Sequence, residues 1–102
     1  IIADNCARSK FDKIIITHGT DGMVKTAEAI ANKIKVKDKT IILTGAMIPY
    51  KFGSSDGLFN LGSAIAYSQT LPAGAYIVMN GRYFDWHNVQ KNKKLGLFEE
   101  IK

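Results

Sequence analysis

The chain is predicted to be an α/β fold, a three-layer α/β/α sandwich with a mainly parallel sheet, on three observations. Two β-branched runs, Ile14-Ile15-Ile16-Thr17 and Thr40-Ile41-Ile42-Leu43-Thr44, lack the polar alternation of a half-solvated strand. Between them, Met23, Ala27, Ile30, Ala31 and Ile34 recur at helical spacing. Strand, helix and strand in that order make a right-handed crossover unit, which sets the two strands parallel.

The elements follow in order. Ile2, Cys6 and Phe11 suggest the tail of a helix ending near Asp12, and Lys13 to Thr17 form a strand expected to be buried on both faces. A helix is expected from about Gly22 to Lys35, with Lys25, Glu28, Asn32 and Lys33 on its polar side; Lys37-Asp38-Lys39 breaks it. The strand from Thr40 to Thr44 leads through Gly45-Ala46 into a polar stretch, Met47 to Ser55, that reads as a surface loop on the same sheet edge as Thr20. Asp56 is the expected N-cap of a second helix through Leu58, Leu61, Ile65 and Tyr67, with Gly62 and Ala66 one turn apart as a close-packing seam. Ala75 to Met79 is a third strand. Asn80-Gly81 turns it back as Arg82-Tyr83-Phe84, since both positions of a tight hairpin turn need positive φ. Beyond Asp85 the chain is polar and basic and is expected to be irregular.

The 102 residues suit one domain or part of one, and the first residue, Ile1, is not a methionine, so the chain is expected to be a piece of something longer. The net charge of +5 includes Lys51, Arg82, Lys91, Lys93, Lys94 and Lys102. They lack the aromatic interleaving of a single-strand binder, so they read as a solvated surface and nucleic acid is not expected as a partner. The single cysteine, Cys6, excludes an internal disulfide and a multi-cysteine metal site, and suits the cytoplasm. No apolar stretch is long enough for a membrane span.

The candidate chemistry lies where the first strand stops. Thr20 and Asp21 are both good helix caps, and capping alone would explain them. The functional alternative is that Gly19 lets the backbone approach a ligand, Thr20 supplies a hydroxyl and Asp21 a carboxylate for an ammonium group. A threonine hydroxyl is a poor nucleophile until a base takes its proton, and Lys91 could serve. By composition Lys91 is more often a solvated surface residue and His18 more often a packed strand-end residue than a ligand, and His87 has no spaced metal-ligand companion; no metal site is expected. Gly45-Ala46-Met47 could offer backbone groups to a ligand or simply turn the chain. No Walker-type or dinucleotide-binding glycine motif is present.

Taken together, Thr17-His18-Gly19-Thr20-Asp21-Gly22-Met23, Leu43-Thr44-Gly45-Ala46-Met47-Ile48-Pro49, Ser55-Asp56-Gly57-Leu58-Phe59-Asn60-Leu61, and Val78-Met79-Asn80-Gly81-Arg82 followed by Asp85, Asn88, Val89, Lys91 and Asn92 resemble the bacterial L-asparaginases and related glutaminases. The Phe84-Asp85-Trp86 context and Gly96-Leu97-Phe98-Glu99 resemble the cytoplasmic type I branch. The resemblance implies that residues 1–102 are the central part of an asparaginase N-terminal catalytic domain. It implies hydrolysis of L-asparagine to aspartate and ammonia through a threonine-dependent acyl-enzyme, without a cofactor and in a homo-oligomer.

By that resemblance Thr20, Asp21 and Lys91 are catalytic, with Lys91 neutral or nearly so and Asp21 holding the substrate α-ammonium. Gly19, Thr20, Asp21 and the Ala46 carbonyl would bind substrate. Gly22 and Ile48 stand where the family commonly has threonine and arginine. The family's primary nucleophile, in a Gly-Gly-Thr segment, its carboxylate-binding serine and its C-terminal domain are not within this sequence, so the chain alone is expected to be inactive. A sheet edge open where that first strand should pair would favour association. The alternatives are the asparaginase-like subunit of a tRNA-dependent amidotransferase and a non-catalytic interaction module.

Overall fold

A computed structural model describes residues 2–34, 38–48 and 55–102. Its elements are α1 (Ile2–Arg8), β1 (Lys13–Thr17), α2 (Met23–Ile34), β2 (Thr40–Thr44), α3 (Gly57–Ser68), β3 (Gly74–Met79), β4 (Arg82–Asp85), β5 (Gln90–Asn92) and β6 (Leu97–Glu99). The main sheet has the order β1-β2-β3-β4. Its first three strands are parallel, and β4 returns antiparallel through the hairpin. Asn80 and Gly81, at φ 57 and 77, supply the left-handed pair that this turn requires.

Side chains alternate across the sheet and divide the core in two. Ile41, Leu43, Ile77 and Met79 face one side, where Cys6 of α1 and Met23, Ala27 and Ile30 of α2 cover them. Ile42, Tyr76 and Val78 face the other, against Ala64 of α3. The result is the expected three-layer α/β/α arrangement. An Asp4–Lys33 ion pair of 3.2 Å crosses between α1 and α2, with both side chains about half exposed.

Several local expectations are corrected. β1 is half-buried rather than buried on both faces, because it is the edge of the sheet: Ile14 and Ile16 pack against one cluster and Ile15 against the other, while Lys13 and Thr17 are exposed. The inward face of α3 is Asn60, Ala64 and Ser68, four residues apart. Leu58 and Ile65 are exposed, at 69% and 48%, and Leu61 and Tyr67 are only partly buried. Small side chains let the helix lie close to the sheet, and Tyr67 turns its hydroxyl to the Gly81 carbonyl at 2.8 Å.

The Gly62–Ala66 seam is absent too: both residues are exposed, and a Cβ at Gly62 would meet nothing within 4 Å. Nor is the tail irregular. β5 and β6 form a small antiparallel sheet, turned at Gly96 with φ 65, that pairs Lys91 with Phe98; Val89 and Phe98 join the core. Lys35, Lys37 and the loop residues Pro49, Lys51, Gly53 and Ser54 lie outside the described residues.

The orientation of α3 yields a paired test. Ala64→Leu should destabilise the chain by about 1–3 kcal/mol through overpacking, whereas Ile65→Ala should stay within about 0.5 kcal/mol as a surface change. Urea unfolding midpoints distinguish them. The reverse ranking would restore the orientation expected from the apolar pattern.

Candidate functional site

The register of β1 with β2 places Thr17 beside Thr44, so both strands end at the same level. The His18 amide donates to the Thr44 carbonyl at 2.9 Å, extending the ladder one residue into the loops. The approach is close: a Cβ on Gly45 would lie 2.3 Å from the His18 carbonyl oxygen. Gly45 is therefore what allows the 18–21 turn and the loop after β2 to share one edge. A cavity of about 290 Å³ opens beside them, lined by Thr17, Thr44, Gly45, Ala46, Gly57, Leu58 and Leu61.

His18 has a local task. Its Nδ1 lies 2.7 Å from the Gly19 carbonyl, which can only accept, so Nδ1 carries the proton. In the neutral ring Nε2 then accepts from the Thr26 hydroxyl of α2 at 2.9 Å. Helix and turn are thus joined through the imidazole, which braces the Gly19-Thr20 backbone. His87 packs its ring edge-on against Trp86.

Lys91 reaches this edge from β5, 71 residues away from Thr20 in the chain. Its Nζ donates to Thr20 Oγ1 at 2.8 Å and to Asp21 Oδ1 at 2.7 Å. The lysine side chain is 18% exposed and the Asp21 side chain 79%, so the cation is sheltered and its carboxylate partner faces solvent. The structure brings together Gly19, Thr20, Asp21 and Lys91, and it places Ala46 two residues beyond the neighbouring β2 end.

The hydrogen bond from Lys91, followed by the lysine's charge, holds the Asp21 carboxyl below the ordinary aspartate value of 3.8. A depressed carboxyl contributes its ion pair above the ordinary value and loses it as pH falls through the lowered one. An NMR pH titration should accordingly place the Asp21 midpoint below 3.8, with Lys91→Met returning it toward that value. An unchanged midpoint in the variant would remove Lys91 as the cause.

Asp56 is the other correction. It sits at the N-cap of α3 but makes no side-chain cap bond. Its Oδ2 accepts the Met47 amide at 3.1 Å and Asn60 Nδ2 at 3.0 Å, and its Oδ1 accepts the Ile48 amide at 3.0 Å. Burial pushes the Asp56 carboxyl up, but the Ile48 and Met47 amides and the Asn60 side chain outweigh it, and the group lies below the ordinary value. Asn60 is fully buried and went unnoticed as a polar residue of this edge. The available signal was its place four residues after Asp56, one turn away on the same helix face.

The family model "Asparaginase, N-terminal" matches residues 1–98. The L-asparaginase of Thermococcus kodakarensis is 32% identical over 91 residues, which is 89% of this chain and 28% of that protein. L-asparaginase 2 of Escherichia coli is 39% identical over 85 residues, 80% of this chain and 24% of that protein. Among solved structures, the thermostable L-asparaginase of T. kodakarensis has a TM-score of 0.77 at 28% identity, covering 90% of this chain and 29% of that one. The probable cytoplasmic L-asparaginase of Campylobacter jejuni has a TM-score of 0.74 at 34% identity, covering 88% and 29%. The chain spans 24–29% of the length of these relatives. By the match of its fold and of almost all its length, the chain belongs to the asparaginase family, in the part that family's model describes as N-terminal.

Proposed function

We propose that the chain is the central part of an asparaginase N-terminal catalytic domain, and that the protein containing it hydrolyses L-asparagine to L-aspartate and ammonia without a cofactor. The observation that carries this reading is the Lys91–Thr20–Asp21 contact, which joins an amine, a hydroxyl and a carboxylate at one sheet edge within 2.8 Å. Those groups suit an amino-acid amide: a carboxylate for its α-ammonium and a hydroxyl with a proton acceptor for its side-chain carbonyl.

In this arrangement Lys91 is the cationic half of a salt bridge, so it does not yet serve as a base. The α-ammonium of asparagine takes over Asp21; Lys91 releases a proton to solvent water, and its neutral amine then accepts the proton of the Thr20 hydroxyl as that oxygen takes one from the attacking group. The relay activates the attacking oxygen, a threonine supplied from outside this chain or, in deacylation, water. Attack on the side-chain amide carbon breaks its C–N bond, the departing nitrogen takes the proton held by Lys91 and leaves as ammonia, and an acyl-ester remains; water, giving its proton to the same relay, then cleaves the ester to release aspartate and the free threonine hydroxyl. The Ala46 carbonyl accepts the substrate amide N–H, and Gly19 keeps the approach open. The family resemblance further supports a homo-oligomer in the full-length protein. A cytoplasmic location is supported by the C. jejuni neighbour, while a probable periplasmic L-asparaginase of Haemophilus influenzae is also among the relatives.

Ammonia release from asparagine and glutamine, measured on this chain and on a longer protein that restores the relatives' length, tests the proposal. The longer protein should turn over asparagine, and this chain alone should not. Failure of the longer protein on both amides would overturn it.

A further inference from the structure

We infer that Asp56 and Asn60 are positioning residues of the proposed amide site, holding the backbone on both sides of Ala46 so that its carbonyl stays where a substrate amide can reach it. The inference rests on the functional reading above and assigns that site two further residues. On one side of Ala46, Asn60 Nδ2 donates to the Gly45 carbonyl at 2.8 Å. On the other, the Asp56 carboxylate accepts the amides of Met47 and Ile48. The two holders are bonded to each other at 3.0 Å. Asn60 Oδ1 then accepts the Asn80 amide at 3.0 Å, which ties the loop after β2 to the β3–β4 turn.

A filler for the core would not be built this way. Asn60 is 0% exposed and faces the sheet on the same stripe as Ala64, where an apolar side chain would avoid the cost of burying an amide. What an apolar residue cannot do is donate to Gly45 and Asp56 while accepting from Asn80. Asp56, likewise, gives up the ordinary capping of its own helix and spends both oxygens on the neighbouring loop. The bonds converge on residues 45–48, and Ala46 lies between held groups on both sides.

The experiment is NMR on the 102-residue chain with two readouts. The first is hydrogen exchange at the Met47 and Ile48 amides. The second is the response of the Ala46 carbonyl carbon and the Asp21 carboxyl carbon to added L-asparagine. Asp56→Ala should speed exchange at both amides about tenfold or more, as expected for a lost hydrogen bond to a charged group, while amides within β2 and β3 stay protected. Asp56→Asn, which keeps one acceptor oxygen, should restore part of that protection and serves if the alanine variant does not fold.

In the unaltered chain both carbons should respond to asparagine. In the variants the Ala46 response should weaken while that of Asp21 persists, a split that general loss of structure would not produce. Unchanged amide exchange, or an Ala46 response equal to that of the unaltered chain, would overturn the positioning role and leave the functional reading standing. No response at either carbon in the unaltered chain would overturn the amide site, and the positioning role with it.

Discussion

Lys91→Met in the longer protein is expected to lower asparagine turnover by about 10²–10⁴-fold, the contribution of a well-placed acid–base group. The substitution keeps the apolar stem that β5 lays along the edge but removes the nitrogen that donates to both Thr20 and Asp21. The loss should fall mainly on kcat, because the proton relay operates in the bond-making steps. Thr20→Val removes the other end of the same contact at nearly constant shape. Since the two groups act as one unit, the double variant should lose little more than either single variant. Additive losses would mean that hydroxyl and amine serve separate steps, and retention of activity in both would remove the pair from the chemistry.

The largest effect on stability is expected at Gly45. A valine there must place its Cβ 2.3 Å from the His18 carbonyl oxygen and 3.2 Å from the Met23 methyl. The side chain could yield, but a backbone oxygen fixed by the β1–β2 register cannot, so the strand ends must separate. A loss of about 3–4 kcal/mol follows, in the upper range for overpacked sites. The loss should come with broadened or missing amide signals for His18, Gly19 and Thr20. Gly62→Ala makes the contrast: the site is helical and open, so the change should stabilise by about 0.5–1 kcal/mol. Equal urea midpoints for the two variants would contradict the close approach of the loops.

The parts of the fold that could be read from sequence are those where one local rule dominates. The isoleucine runs of β1 and β2 and the Asn80-Gly81 turn belong there, because β-branched apolar runs and left-handed turns each accept few alternatives. The orientation of α3 was not legible. Leu58, Phe59, Leu61 and Ile65 surround much of the helix, and which face meets the sheet was decided by the small residues and by the hydrogen bonds open to Asn60. β5 and β6 were hidden for a different reason: three-residue strands are too short for alternation to show.

The site divides along the same line. Thr20 and Asp21 were visible as polar residues closing an apolar run, and the need for a base made Lys91 a candidate, yet nothing local singled it out among the lysines; the resemblance did, and the β5–β6 sheet delivers it. Asp56 read as a helix cap because its spacing fits one. Only the fold shows the Met47 and Ile48 amides standing closer to its oxygens.

A crystal structure of the longer protein with L-aspartate, the reaction product, tests the central claim most directly. The account predicts the α-ammonium on the Asp21 carboxylate, displacing Lys91 from it, and the side-chain carboxylate accepting from the Thr20 hydroxyl. Aspartate bound away from this edge, with Lys91 still paired to Asp21 beneath an empty Thr20, would contradict it.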